Sequence, residues 1–334
     1  MIEVIYGMEG YEVKLLQYAL ARSDKDPGNL DGIFGRRTAK ALLQFQREHG
    51  LAVDGIAGKL TWAALYPYIA GYTLHKDGRE VMTELLDLPV ITDLIPCSYL
   101  LTGLMLRGLC MRYPFLRVCE IGRSVMGRPL NAISMGKGSM QVGIVGPHHA
   151  DRWANVPGML RFIEEFAAAY VTGDAWAQDL YETAAFHLLP LVNPDGVDLV
   201  TGALFPGDSY YEQARALASH YPDIPFPEGW IANITGVDLS LQYPTGWDKS
   251  RNIRFRQGFT RPGPRDYVGS EPMITPETRT IAKWTRDRDF SLVLSYDRSY
   301  ADWFTDTWGR PGYALSGEAG EELSVLVERI VLSP

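Results

Sequence analysis

A repeated octad constrains the start of the chain more than any other feature. Asp31-Gly32-Ile33-Phe34-Gly35-Arg36-Arg37-Thr38 returns 23 residues later as Asp54-Gly55-Ile56-Ala57-Gly58-Lys59-Leu60-Thr61. Each Asp-Gly reads as a tight turn, because glycine enters positive φ without a Cβ penalty. The second glycine of each copy opens a helix, with threonine in its first turn. Apolar residues follow at helical spacing: Ala41, Leu42 and Phe45 after the first copy, Trp62 and Leu65 after the second. A preceding helix over residues 13–21 places Val13, Leu16 and Leu20 on one face. The expectation is a small all-α three-helix domain over residues 1–70. Gly35 and Gly58 are expected to hold a special backbone conformation in the turns.

Composition narrows the rest. The 334 residues are 46% hydrophobic and 22% charged, enough for a large core and far from disordered or collagen-like chains. A net charge of −8, with no basic run to offset it locally, disfavours a nucleic-acid partner. Cys97, Cys110 and Cys119 lack CxxC spacing and read as buried, reduced thiols. The first ten residues lack the basic start and apolar run of a signal peptide. The longest apolar stretch, residues 99–106, is too short to span a membrane. These features give a cytoplasmic expectation with no membrane partner.

Residues 71–113 read as a connector with a helix over 100–111. Beyond it, short apolar runs predict strands at 116–119, 130–134, 142–145, 188–192 and 292–295. Helical patterns alternate with them at 156–170, 175–185, 210–220, 276–288 and 321–331. The alternation predicts an α/β domain with a mixed, mostly parallel sheet covered on both faces.

The N-terminal motifs carry a resemblance. Leu16-Gln17, Asp31-Gly32-x-Phe34-Gly35-x-x-Thr38, Phe45-Gln46, Gly50-Leu51 and Asp54-Gly55-x-x-Gly58-x-x-Thr61-Trp62 are similar to the peptidoglycan-binding domain 1 family. The resemblance implies a non-catalytic module that recognises bacterial cell-wall glycopeptide, so the expected partner is peptidoglycan or its muropeptides.

A second resemblance rests on four stretches. They are Ile121-Gly122-Arg123-Ser124-Val125-Met126-Gly127-Arg128-Pro129, Gly146-Pro147-His148-His149-Ala150-Asp151-Arg152-Trp153, Pro190-Leu191-Val192-Asn193-Pro194-Asp195-Gly196-Val197 and residues 230–240. In order and spacing they resemble the zinc carboxypeptidase family, in particular its γ-D-glutamyl-diamino acid endopeptidases. This resemblance covers residues 114–334 and implies a shortened zinc carboxypeptidase-like fold.

The chemistry that the resemblance implies is largely missing. A catalytic zinc needs three protein ligands and an open position for water. The first ligand of the family's His-x-x-Glu motif matches His149, but Arg152 occupies the glutamate position. Arginine stays protonated and has no lone pair to offer a metal. The third ligand, a histidine in the family, falls at Asp297, and no histidine follows His220. The general base falls at Ser316; Glu318 lies two residues on, about 7 Å away along a strand. The substrate-carboxylate asparagine falls at Ser240, followed by Leu241. Residues 299–304 resemble a segment that the family places well beyond the third ligand, which implies a deletion.

The expectation is a cell-wall-binding protein with an inactive peptidase-like domain, no metal and no catalytic residues. The alternative is a zinc-dependent γ-D-glutamyl-diamino acid peptidase using His149, Asp297 and Glu318. A third reading pairs the chain with an active peptidase relative. The endopeptidase branch includes sporulation-associated proteins, which adds a wall or spore association. His148 and His149 with Asp151 make a poor metal set, because their spacing does not converge on one face. Asn193-Pro194-Asp195-Gly196 reads as a turn, and Asp238 as a residue that orients a loop. The Trp303, Phe304 and Trp308 patch reads as packing, and residues 279–289 as a solvated helix face. Arg152 is expected to enter the former zinc site and pair with Asp297 or another acid of the cleft, so that Arg152→Ala would cost about 3–5 kcal/mol.

Overall fold

The computed structural model describes residues 3–70, 72–74, 80–82, 89–92 and 94–296. Asp297, Ser316, Glu318, the Trp303–Trp308 patch and the helix expected at 321–331 lie outside the described residues.

The repeat builds two copies of one hydrogen-bonded cradle. Helices α1 (Tyr11–Arg22), α2 (Arg36–Glu48) and α3 (Lys59–Ala70) are joined by the two octad turns. Buried Gln17 on α1 donates to Asp31 Oδ1, the Ile33 carbonyl and Thr38 Oγ1, and accepts from the Gly32 amide at 2.9 Å. Buried Gln46 on α2 repeats the set with Asp54 Oδ1, the Ile56 carbonyl, Thr61 Oγ1 and the Gly55 amide. Both aspartates also accept from the amide two residues on, at 2.9 Å. Each octad is thus a turn locked by a glutamine from the preceding helix, which satisfies groups that would otherwise be buried without partners.

The turns place their conformational demand on the first glycine of each copy. Gly32 has φ +80° and Gly55 φ +72°, and a Cβ on Gly32 would lie 2.8 Å from the Gly10 carbonyl oxygen. Gly35 is extended at φ −93°, ψ −170° as the residue preceding α2, and Gly58 is outside the positive-φ region. The expectation of a special conformation at Gly35 and Gly58 is therefore corrected. Those glycines only start helices, and the strain-relieving role belongs to Gly32 and Gly55.

A short antiparallel pair, β1 (Tyr72–Leu74) and β2 (Glu80–Met82), leads to α4 (Tyr99–Arg112). Ser98 caps α4 by accepting from the Leu101 amide. Ser98 also donates to the Tyr11 hydroxyl at 2.8 Å, which itself donates to the Pro96 carbonyl. One continuous buried cluster runs from Val13 and Phe45 through Leu101 and Met105 to Phe186 on the central sheet. The connector thus forms part of the core that joins the three-helix unit to the α/β region.

The α/β region continues with β3 (Arg117–Arg123), β4 (Pro129–Gly136), β5 (Met140–Val145), α5 (Asn155–Val171) and α6 (Ala175–Thr183). It is completed by β6 (Ala184–Leu189), α7 (Pro194–Thr201), α8 (Ser209–Ala218), α9 (Trp247–Arg256), α10 (Pro276–Asp287) and β7 (Leu292–Ser295). The sheet order is β3-β4-β6-β5-β7; the β3/β4 and β4/β6 ladders are antiparallel, and β6/β5 and β5/β7 are parallel. One face packs Ile133, Met135 and Phe186 against α4, α5 and α6, while the other packs Leu130, Ala132 and Leu189 against Ile281 and Trp284 of α10.

Two elements depart from the sequence reading. The strand expected at 188–192 runs instead from Ala184 to Leu189, and the preceding helix stops at Thr183. Ala184 and Ala185 favour helix in isolation, but they pair with Met140 and Gln141 and are buried. Pro190 then ends the strand, because it has no N–H for the ladder. Asn193-Pro194 does more than turn. It starts α7, with Asn193 as cap, Pro194 in the first turn and Gly202 closing the helix at φ +80°. Cys97 is buried as expected, whereas Cys110 and Cys119 are half-buried; all three are free thiols. Among the described residues, no helix is long and apolar enough to cross a membrane.

Candidate functional site

The carboxyl ends of the parallel strands gather the motif residues. The loop after β5 carries residues 146–153, and the loop after β6 carries residues 190–193. Their backbones touch: the Gly146 amide donates to the Leu189 carbonyl, and a Cβ on Gly146 would lie 2.4 Å from the Pro190 oxygen. Fully buried Asn193 donates to the His148 and Ala232 carbonyls at 3.0 Å, and its own oxygen accepts from the Gly196 amide. One side chain therefore holds three loops in register. Crevices at this end of parallel strands are the usual ligand sites of α/β sheets.

His149 and Ser240 meet here. His149 Nε2 lies 3.1 Å from Ser240 Oγ and 3.3 Å from Asp238 Oδ1. Asp238 also accepts from the Ser240 hydroxyl at 2.7 Å, the Ser240 amide and the Asp266 amide. Burial alone would raise the Asp238 carboxyl. Hydrogen bonding and charge from His149, then the Ser240 and Asp266 donors, outweigh burial and hold it down at about 2. Asp238 thus orients both its own loop and the His149 ring. The trio is not a nucleophilic relay. Ser240 gives its proton to Asp238, and one ring nitrogen faces both partners, whereas a relay needs the two nitrogens to face base and acid separately.

His148 points elsewhere. It is buried, with Nε2 2.7 Å from the Tyr243 hydroxyl and its ring edge-on to that tyrosine. Tyr243 was not apparent as its partner from sequence, because 95 residues separate the two. Among the described residues, no group of three His, Cys, Asp or Glu side chains could hold a metal ion.

Arg152 ends a single 3₁₀ turn, Ala150–Arg152, that starts from His149. Its Nε lies 3.5 Å from Asp151 Oδ1, and both atoms are buried without a hydrogen-bond partner among the described residues. The side chains are 37% and 30% exposed. The described acid beside Arg152 is its own neighbour in sequence, in a loose contact. That contact by itself, partly exposed on both sides, is worth about 1 kcal/mol or less. The expected partner, Asp297, lies outside the described residues, as do Ser316 and Glu318.

A buried acidic framework lies beside this crevice. Asp195 accepts from Ser124 Oγ and the Met126 amide at 2.9 Å, and Glu277 accepts from the Val125 amide at 3.0 Å. Arg128 donates to Asp198 at 2.8 Å and lies 3.6 Å from Asp195. Asp198 also receives the Tyr99 amide of α4. Burial raises the Asp195 carboxyl and pushes Asp198 up to about 6 and Glu277 up to about 7, with Arg128 and backbone donors opposing it. These carboxylates bond inward to the β3–β4 turn, so they build the frame of the crevice. Glu277, in the first turn of the helix expected at 276–288 and just before the run read as solvated, carried no signal in the sequence.

The chain belongs to the zinc carboxypeptidase family, whose pattern it matches over residues 104–324. Residues 9–65 match the peptidoglycan binding domain family. Over 253 residues the chain is 30% identical to gamma-D-glutamyl-L-diamino acid endopeptidase 1 of Lysinibacillus sphaericus, covering 62% of each protein. It is 27% identical over 192 residues to human carboxypeptidase Z, covering 54% of this chain and 26% of that one. The chain thus spans less than two thirds of the length of either relative. A crystal structure of thrombin activatable fibrinolysis inhibitor superposes at a TM-score of 0.46 with 16% identity, over 70% of this chain and 54% of that one.

The family is zinc-dependent, and the described donors do not fit that ion. Among the described residues, His149 has Ser240 and Asp238 beside its ring and is not part of any group of three such donors. Arg152 brings a fixed positive charge to the same turn, where a dication would be repelled rather than bound.

Proposed function

We propose that the protein binds bacterial peptidoglycan through its three-helix unit and carries a zinc carboxypeptidase-like domain that does not hydrolyse wall peptides. The observation that carries this reading is Arg152 in the glutamate position, on the turn that begins at His149 with its guanidinium beside Asp151. The loss of an asparagine at Ser240, and of a histidine and a glutamate at Asp297 and Ser316, supports it from the sequence. Ser240 is half-buried and engaged with Asp238 and His149, which leaves it poorly placed to receive a substrate carboxylate. The intact glutamine cradles of the repeat support the binding half.

The test incubates the full chain with purified peptidoglycan sacculi in the presence of zinc. The protein is expected to sediment with the sacculi and to release no peptide cut at γ-D-glutamyl-diamino acid bonds. Zinc-dependent release of such fragments would establish the alternative, a working peptidase. Failure to sediment would remove the wall-binding half.

A further inference from the structure

The outer face of α2 holds a charge pattern that the linear sequence hides. Its inner face buries Thr38, Ala41, Leu42, Phe45 and Gln46. On the outer face, Arg36, Lys40, Leu43, Gln44 and Arg47 recur at helical spacing and, with Tyr6, line an open groove of about 570 Å³. No two of the three cations adjoin in sequence, so no basic run shows there. The helix nevertheless stacks them along one side, over a rise of about 16 Å at 1.5 Å per residue.

Among the described residues none of the three cations holds an acid in an ion pair as their neighbours do, and Lys40 only helps to lower the Asp26 carboxyl through space. Arg37 pairs with Asp26 and Lys25 with Glu48. Among the described residues Arg36, Lys40 and Arg47 form no ion pair, and no acidic side chain lines the groove. The three-helix unit, residues 1–70, carries eight basic and eight acidic side chains, so the net −8 of the chain resides in the remainder. A cationic stripe on an otherwise acidic protein is a selective surface for an anion. Tyr6 is 60% exposed, and it adds an aromatic face to the aliphatic surface of Leu43.

We infer that this groove binds the acidic stem peptide of peptidoglycan in an extended conformation, its carboxylates paired with Arg36, Lys40 and Arg47. The inference rests on the wall-binding reading and assigns that binding to one face. An extended peptide advances about 3.3–3.6 Å per residue, so four or five residues match the length of the stripe. Guanidinium–carboxylate pairs supply the directional bonds. Tyr6 and Leu43 receive the small apolar side chains between the carboxylates.

The experiment measures sedimentation of the full chain with sacculi freed of wall teichoic acid, and with glycan strands stripped of peptide by an amidase. The wild type is expected to bind intact sacculi in a salt-sensitive manner and to leave stripped glycan in the supernatant. The triple variant Arg36→Ala, Lys40→Ala, Arg47→Ala is expected to bind intact sacculi at least about tenfold more weakly, because a charge-assisted pair is worth more than a neutral one. The double variant Arg37→Ala, Lys59→Ala, off the groove, is expected to bind as the wild type does. All five side chains are exposed, and a thermal melt confirms that each variant is folded. Equal binding by the triple variant and the wild type would overturn the groove while leaving wall binding intact, as would equal binding of stripped glycan. No binding by the wild type to any sacculus would overturn the wall-binding reading itself.

Discussion

The repeat and the His149 loop are both motif-bearing regions, and they have kept different things. In the repeat, the motif residues are the structure: Gln17 and Gln46 each satisfy a turn through four hydrogen bonds. In the peptidase-like region, Asn193, Asp195, Arg128 and Asp238 build the frame through buried hydrogen bonds and ion pairs, while in the proposed reading the positions of the family's chemistry carry other side chains. Framework groups answer to the cost of an unsatisfied buried polar atom whether or not a reaction occurs. Catalytic groups answer only to the reaction, and nothing in the packing preserves them.

The largest expected effect tests the framework half of that comparison. Arg128→Met leaves Asp195 and Asp198 buried without their cation. Breaking a buried ionic cluster from one side typically costs about 3–5 kcal/mol. Chemical denaturation of the variant should show a loss of that size; a loss near zero would make these acids dispensable and weaken the distinction between frame and chemistry.

A smaller effect appears as pH dependence. Asp198, at about 6, and Glu277, at about 7, lie above their unfolded values, so the native state holds more protons between about pH 4 and 7. Stability therefore rises as pH falls through that window. Asp238, held at about 2, acts in the opposite sense, and its contribution is lost only below about pH 4. His187, lowered to about 4 by burial and then by Arg288, opposes the gain from Asp198 and Glu277 below about pH 6.5, so the readout is a difference: between pH 7 and pH 5 the thermal midpoint of the wild type should gain on that of Glu277→Gln. Identical profiles for the variant and the wild type would show that Glu277 does not titrate in the folded protein.

Next in size comes the symmetry of the repeat. Gln17→Ala orphans the buried Gly32 amide and Gln46→Ala the half-buried Gly55 amide, while both turn aspartates keep the amide two residues on, and each variant should cost about 1–3 kcal/mol. Near-equal losses by thermal or chemical denaturation would sharpen the reading of two equivalent cradles. A loss confined to one variant would break it.

How far the sequence reached follows the same division. The three-helix unit was legible because a repeated turn and helical periodicity are local signals. The α/β order was legible for the same reason, through short apolar runs between amphipathic helices. The start of β6 was not: Ala184 and Ala185 are helix formers, and only pairing with β5 makes them strand. The Asn193 helix start was masked by its turn-like composition. At the site, the sequence offered Arg152 and Ser240 only through loop-motif offsets, and the contact between His149 and Ser240 joins two such motifs 91 residues apart. The Tyr243 partner of His148 and the bonds of Glu277 to the β3–β4 turn are tertiary facts with no local pattern. The cationic face of α2 escaped notice because its charges lie at helical spacing rather than in a run.

In the proposed reading, the region around His149 has kept its frame and lost its metal. The most direct test of that reading is the zinc content of the purified full chain after equilibration with buffered zinc, measured beside Arg152→Glu. No stoichiometric zinc is expected in the wild type, and none in the variant, because a single restored carboxylate supplies only two of three ligands. One zinc per wild-type chain would contradict it.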